Sequence, residues 1–288
     1  MNRILPIIRK IHIHPLLWIV VALAVVTAHF IELSLLFFII LIHELGHAAA
    51  ASFFSWRVKK ISLLPFGGVA EMDEHGNRPL KEEAIVVLAG PLQHFWLLPL
   101  AFVLNELGFM SDHIFALFVQ YNLMILIFNL LPIWPLDGGK LIFLLCSLNS
   151  SFPKAFKRTL WISSFSIAVF ILAVILTEPI NLNVWIVCSF LIFSLFFEWK
   201  QNRYVFVRFL LERYYGNNSD LKKLKPIIVE ENDMVIHVLE QFQRGCKHPI
   251  IIEKDGKEKG SLDENELLHA YFVEKLHNAK VGDLLYQY

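Results

Sequence analysis

Six apolar runs, each about 20 residues long and free of lysine and arginine, constrain the fold of this 288-residue chain more than any other feature. A bilayer core about 30 Å thick is crossed by about 20 helical residues. Charged residues make up 18% of the chain, below the roughly 25% of soluble domains. We therefore expect an α-helical polytopic membrane protein with about six transmembrane helices, at roughly 14–31, 34–55, 84–104, 114–134, 160–177 and 182–198.

The basic residues all lie on one side of this predicted topology. The 26 lysines and arginines fall before the first run, after the second, after the fourth, or beyond residue 199. The positive-inside rule then places both termini in the cytoplasm, and the apolar run behind the basic N-terminus is interpreted as a retained signal anchor.

The formal net charge of zero argues against a nucleic-acid-binding surface. The three widely spaced cysteines predict reduced thiols rather than a disulfide framework.

The composition changes after about residue 200, where lysine and glutamate recur and no further apolar run follows. We predict a membrane-embedded domain over residues 1–199, a linker over 200–220 and a small soluble α/β domain over 221–288. Within the tail, the pattern predicts a strand, a helix, a second strand, a tight turn and a second helix. These are expected at 227–229, from a cap near Asp233, at 249–253, at 254–256 and from about Asp263.

The sequence His-Glu-Leu-Gly-His lies inside the second apolar run, at residues 43–47. Spacing of i and i+4 places His43 and His47 on one helix face, where both imidazoles can bind one metal ion while Glu44 faces its water. Imidazole suits Zn²⁺, which lowers the pKa of bound water to about 7 and lets Glu44 act as general base. The alternative is a hydrogen-bonded polar cluster between helices, but three ionisable groups in hydrocarbon are costly without a metal and water.

Asp137 is the best candidate for a third metal ligand. It ends the segment Asn-Leu-Leu-Pro-Ile-Trp-Pro-Leu-Asp-Gly-Gly at 129–139, whose prolines and glycines break the fourth predicted helix. Broken backbone at membrane depth is tolerated where it lines a cavity or is buried in protein. The predicted topology puts this break on the cytoplasmic side, toward which the His43–His47 helix also runs. The alternative is that Asp137 only caps a helix end.

The segment 65–72, Pro-Phe-Gly-Gly-Val-Ala-Glu-Met, is too short to span a bilayer but apolar enough to dip into it as a reentrant loop. A hydrolase acting in a bilayer must hold its substrate extended, and pairing with a strand edge does this. We therefore predict that Phe66, Gly67 and Gly68 bind substrate. The alternative is an ordinary interfacial loop.

Four motifs over roughly residues 30–150 together resemble the site-2 protease family of intramembrane metalloproteases: HELGH, PFGG, AGPL at 89–92 and NLLPIWPLDGG. The resemblance implies a zinc metalloendopeptidase with His43, His47 and Asp137 as zinc ligands and Glu44 as base. It also implies that the segment of Asn129, with its two prolines, shapes the substrate channel. The substrate contacts predicted there are Asn129, Pro132 and Pro135. Gln93-His94 stands where the family often has Ala-Asn, which leaves the role of the third span open.

The tail resembles a single cystathionine-β-synthase (CBS) motif, a module that normally works in pairs that bind adenine nucleotides. The resemblance implies a homo-oligomer and ATP as a regulatory ligand, with Glu266 toward the ribose; a docking domain without nucleotide is the alternative. Family members with such a tail process a sporulation sigma-factor precursor. This implies a sigma-factor substrate, inhibitory membrane proteins as partners and the mother-cell membrane around the forespore as location. The competing functions are a metal-binding membrane transporter and a non-catalytic scaffold.

Overall fold

The computed structural model describes residues 10–13, 15–64, 67–72, 78–177, 179–216 and 223–285. Five helices of this part are long and apolar enough to cross a bilayer, which confirms a mostly helical, multi-pass membrane protein. The helices up to residue 215 are α1 (Pro15–Val26), α2 (Phe30–Phe53), α3 (Leu80–Glu106), α4 (Asp112–Asn129), α5 (Asp137–Asn149), α6 (Phe152–Thr177) and α7 (Leu182–Tyr215).

The first predicted span differs most from the structure. α1 has 12 residues, which is about 18 Å of helix and short of the roughly 30 Å of a bilayer core. The chain turns at Ala28, whose φ of 60° is left-handed, and α2 starts at Phe30, four residues before the predicted 34. The predicted run at 14–31 therefore divides between the short α1 and the first residues of α2, because hydropathy alone does not register a left-handed turn.

Three strands form a small sheet beside these helices, in the order β1 (Ile11–Ile13), β2 (Val58–Leu64) and β3 (Gly67–Met72). β1 pairs with β2 in parallel, and β3 pairs with β2 in antiparallel. The predicted reentrant loop is therefore a strand from residue 67 onward, and Phe66 lies outside the described residues. Among the described strands β3 is at the sheet edge, as a substrate-pairing strand requires.

The chain divides into two compact units. Of the described residues, the first unit holds those up to 72, 81–141 and 163–194, and the second holds 78–80, 142–162 and 195–285. The boundary predicted at residue 199 falls inside α7, and most of the predicted linker up to Tyr215 is helical. The division into protease, linker and regulatory parts remains a prediction.

The C-terminal part of the second unit follows the predicted order of elements, with one additional strand and one additional short helix at its end. It consists of β4 (Ile227–Glu230), α8 (Val235–Leu239), β5 (Ile250–Lys254), β6 (Lys257–Leu262), α9 (Glu264–Phe272) and α10 (Val281–Leu284). β4 and β5 are parallel, β5 and β6 antiparallel, and Asp255 and Gly256 form the left-handed turn between the last two. β6 escaped prediction because its sequence, Lys-Glu-Lys-Gly-Ser-Leu, is mostly polar and exposed.

A buried ion pair ties α7 to this sheet inside the second unit. The Arg213 guanidinium donates to both carboxylate oxygens of Glu264, at 2.6 and 2.8 Å, and to the Gln243 carbonyl at 2.6 Å. Both charged side chains are almost fully buried, so their hydrogen bonds offset a large desolvation cost. Burial also lowers the pKa of neighbouring His248, whose two ring nitrogens are bonded to backbone.

Candidate metal centre

His43 and His47 lie on one face of α2, and both are buried. Their Nε2 atoms are 3.0 Å apart, and each is 3.0 Å from Oδ2 of Asp137. The helix repeat brings the two imidazoles together, whereas Asp137 comes from 90 residues further along the chain. The structure thus assembles the three side chains predicted as metal ligands into one buried cluster.

Asp137 reaches the cluster because α4 stops at Asn129 and α5 begins at Asp137 itself. Between them the chain makes tight backbone turns, with Ile133 N donating to Leu131 O at 2.7 Å and Leu136 N to Ile133 O at 2.8 Å. The second carboxylate oxygen of Asp137 accepts a hydrogen bond from Lys140 Nζ at 3.0 Å. Lys140 therefore holds one oxygen while the other faces the imidazoles.

The protons on both imidazoles follow from their outer contacts. His47 Nδ1 is 2.7 Å from the Val86 carbonyl, which only accepts, so Nδ1 carries a proton and Nε2 of the neutral ring presents a lone pair.

A series of hydrogen bonds through His94 and Asn122 fixes the orientation and tautomer of the His43 ring. Asn122 Nδ2 donates to the His94 carbonyl at 3.1 Å, which leaves Asn122 Oδ1 to accept from His94 Nδ1 at 2.9 Å. His94 Nε2 must then accept, so His43 Nδ1, 3.0 Å away, is the donor. Nε2 of the neutral His43 ring therefore directs its lone pair at the cluster. His94 and Asn122, which hold the ring in this orientation, have no exposed surface.

Two imidazole lone pairs and a carboxylate oxygen 3.0 Å apart repel one another unless a cation joins them, and this donor set fits zinc. Two ligands at 2.0–2.1 Å from a tetrahedral centre are about 3.3 Å apart, which the observed separations approach to within a few tenths of an ångström. Three protein ligands with one open position are typical of catalytic zinc, and closed structural sites have four. Bound zinc would supply a water acidified to near neutral pH.

Two glycines are packed directly against the centre. A Cβ on Gly90 would lie 2.7 Å from His43 Nε2 and closer still to His47 Nε2, so only glycine leaves room for both rings. A Cβ on Gly68, in β3, would lie 2.9 Å from Cδ of Glu44. The buried Glu44 carboxylate therefore faces the strand predicted to bind substrate.

The remaining predicted residues have less distinctive surroundings. The turn before Asp137 contains the partly buried Pro132 and Pro135. Asn129 is the last residue of α4, is also partly buried, and donates from Nδ2 to the Ile125 carbonyl of that helix. Glu266 belongs to the capping box of α9, where its carboxylate accepts from the Asp263 backbone N–H at 2.8 Å. Their proposed contacts with substrate or nucleotide remain predictions.

Sequence reasoning missed the partners of the ligands. His94, Asn122 and Lys140 were not assigned to the site, although His94 stands at the point of departure from the family pattern. The available signal for His94 was a histidine inside the predicted third span, two residues after the AGPL segment. Nothing in the sequence singled out Asn122, which is 28 residues from His94.

The fold and the cluster together define a class, the membrane-embedded metallopeptidases: a glutamate and three side chains that could hold a metal ion are buried on helices of a multi-pass protein. The family model for peptidase family M50 matches residues 31–112 and 106–174. The chain belongs to this family, which confirms the resemblance and the metalloprotease activity predicted from the motifs.

Three similar proteins agree with this assignment. Stage IV sporulation protein FB of Bacillus subtilis is 54% identical over 288 residues, which is 100% of both chains. A zinc metalloprotease of Methanocaldococcus jannaschii is 32% identical over 126 residues, 43% of this chain and 36% of that protein. The solved site-2 protease from Methanocaldococcus jannaschii has a TM-score of 0.52 at 26% identity, over 64% of this chain and 88% of that one.

Proposed function

We propose that this protein is a zinc metalloendopeptidase that cleaves a membrane-associated protein within the bilayer, near its cytoplasmic face. The observation that carries the proposal is the buried cluster of His43, His47 and Asp137 beside the carboxylate of Glu44. His43, His47 and Asp137 would hold zinc, which would supply an acidified water for attack on a peptide carbonyl. Glu44 takes the proton of that water and delivers it to the leaving amine. Both termini face the cytoplasm in this proposal, as the distribution of basic residues indicates.

Glu44→Gln tests the catalytic assignment. The amide keeps the size of the side chain and leaves both imidazoles in place, so metal content should match that of the wild-type protein. Cleavage should be lost, because an amide does not accept the water proton. Both quantities are measured on the same purified preparation, by elemental analysis and by appearance of a new substrate N-terminus. Full turnover by the variant would exclude Glu44 as the general base.

Substrate is proposed to pair with the edge of β3. Support comes from the position of β3 at the edge of the described sheet and from the contact that Gly68 makes with Glu44. An added strand would thus run past the carboxylate with its scissile peptide extended.

Cysteine cross-linking in the Glu44→Gln protein tests this pairing. Gly67 is suitable for a cysteine because a Cβ there meets nothing within 4 Å, and Gly256 is a matched control in the same respect. Both have positive φ, 149° at Gly67 and 75° at Gly256, so both substitutions carry backbone strain, and it is greater at Gly67. With the partly buried Cys146 replaced by alanine, Gly67→Cys should cross-link to every second cysteine position along the substrate. Equal cross-linking from Gly256→Cys, or no period of two, would contradict pairing at β3.

The natural substrate is proposed to be a sporulation sigma-factor precursor. Support comes from the resemblance in the tail and from the full-length similarity to stage IV sporulation protein FB. The same resemblance extends the proposal to inhibitory membrane proteins as partners and to the mother-cell membrane around the forespore. Coexpression with the precursor should give a shortened product with the wild-type protein and none with Glu44→Gln.

The tail is proposed to be a single CBS-type domain that pairs with that of another subunit and binds ATP. Its order of strands and helices and the capping box at Glu266 are compatible with this assignment. Glu266→Gln tests the contact, because glutamine also serves in a capping box while removing the charge. The variant should keep its fold and oligomeric state but bind ATP more weakly. No ATP binding to the wild-type chain at millimolar concentration would leave a docking domain without nucleotide.

A further inference from the structure

A cavity of about 500 Å³ lies inside the second unit, remote in sequence from the HELGH motif. One wall is the end of α5 and the first two turns of α6, and the opposite wall is β4 with the segment around His248. This volume is within the range of small-molecule sites. The mechanism above makes no use of it.

The lining carries positive charge without compensation by carboxylates. Lys154, Arg158 and Lys225 line the cavity, and no aspartate or glutamate does so among the described residues. Two of these cations donate hydrogen bonds to neutral groups: Arg158 Nη1 to Ser150 Oγ at 2.7 Å, and Lys225 Nζ to Gln243 Oε1 at 3.0 Å. Three cations around one cavity repel one another, and an anion would relieve that repulsion.

Ser151 supplies an independent sign of a ligand. It lines the cavity and is 7% exposed, yet its hydroxyl has no hydrogen-bond partner among the described residues. A buried hydroxyl without a partner is unfavourable, so a hydrogen-bonding group of a ligand is expected at this point. Ser151 also caps α6, since its carbonyl accepts from Ala155 N at 2.9 Å, and this is the positive end of the helix dipole.

The position of the cavity along α6 indicates that the anion belongs to a lipid headgroup. α6 is long and apolar enough to cross a bilayer, and Trp161 follows Arg158 by less than one turn. Trp161 is 62% exposed and packs edge-on against Trp199 at 5.5 Å. Exposed tryptophans at the end of a transmembrane helix lie at headgroup depth. Lys154 and Arg158 are therefore at the level of lipid phosphates.

From these observations we propose that the cavity binds the phosphate of an anionic phospholipid headgroup, with Lys154, Arg158 and Lys225 as cationic contacts and Ser151 as hydrogen-bond donor. Such a lipid bridges the first turns of α6 and β4, which belong to the same unit. Binding is expected to weaken with salt, since the three cations are exposed to solvent.

Native mass spectrometry of the full chain in detergent micelles tests this proposal, with phosphatidylglycerol and phosphatidylcholine as lipid probes. Phosphatidylglycerol should be retained in preference to phosphatidylcholine. Lys154→Gln should weaken its binding about fivefold, and the double variant with Lys225→Gln about 25-fold, on the basis of roughly fivefold per basic residue near an anionic surface. Lys157→Gln is the matched control, an exposed lysine of α6 outside the cavity lining, and should change binding less than twofold.

Three outcomes would overturn the proposal. Equal losses in the Lys154 and Lys157 variants would mean a general surface attraction rather than a site. Equal retention of both lipids would mean that the phosphatidylglycerol charge is not recognised. Competition with inorganic phosphate and with ATP distinguishes a lipid headgroup from a free phosphate compound. Displacement of phosphatidylglycerol by either at micromolar concentration would assign the cavity to a free phosphate compound and exclude the lipid.

Discussion

His94→Phe is the change that most directly tests how the metal centre is held. His94 accepts from His43 Nδ1 and donates to Asn122 Oδ1, and neither His94 nor Asn122 has exposed surface. Phenylalanine has a similar shape but neither hydrogen bond. His43 is then left with a buried N–H that has lost its acceptor, at a cost of about 1–3 kcal/mol.

That cost appears in zinc affinity because the ring can rotate or change tautomer once His94 no longer holds it. Each 1.4 kcal/mol is tenfold in a dissociation constant, and loss of an outer partner of a zinc ligand typically costs 10- to 100-fold. We expect zinc binding of His94→Phe to weaken by about 10- to 100-fold, and that of Asn122→Ala by about tenfold, since Asn122 acts one bond further away. Cleavage should recover in part at high zinc concentration.

The assay is competition for zinc between the purified protein and a chelator of known affinity. Thr159→Val is the control, because Thr159 is also fully buried and its hydroxyl bonds only to the Ala155 carbonyl of its own helix. It should leave zinc affinity unchanged. Zinc affinity of His94→Phe equal to that of the control would refute the argument that the His94–Asn122 chain fixes the ligand.

Three further substitutions test other contacts. Gly90→Val should abolish metal binding, measured by elemental analysis, because its side chain would occupy the space of both imidazoles. Lys140→Gln should weaken zinc binding by about tenfold or less in the chelator assay, since the lysine that orients the buried carboxylate is 41% exposed. Arg213→Met should destabilise the second unit by about 3–5 kcal/mol by leaving the Glu264 carboxylate buried without its partner, seen as faster limited proteolysis. Removing the exposed Arg208 side chain should cost less than about 1 kcal/mol in the same measurement.

The sequence was sufficient to predict that His43, His47 and Asp137 come together, because their chemistry is local or strongly marked. His43 and His47 are four residues apart, so any helix brings them together. Asp137 was found through its broken helix, and the predicted side of the membrane placed it near the histidines. Zinc followed from the donor types rather than from any packing detail.

The outer contacts could not be predicted in the same way. The separation of His43 and His94 is 51 residues, and their contact depends on the register between α2 and α3. No periodicity within one helix fixes a register between two. The shortness of α1 had a similar cause: the turn at Ala28 depends on backbone conformation, whereas residues 15–26 are all apolar and only Thr27 and His29 interrupt the run up to residue 31.

The polar groups around the candidate metal centre differ in whether each donor or acceptor has a hydrogen-bond partner within the protein. From Asn122 through His94 to His43 Nδ1, each donor faces an acceptor, and the same holds from Val86 to His47. At the inner ends of these chains the two Nε2 atoms and the carboxylate oxygen of Asp137 face one another as acceptors. Folding thus provides the orientation and leaves only the charge to be supplied. A preformed site of this kind binds its ion without ordering flexible ligands, which lowers the entropic cost of binding. It also explains why polar side chains that touch neither zinc nor substrate are buried at this depth, where each would otherwise destabilise the protein.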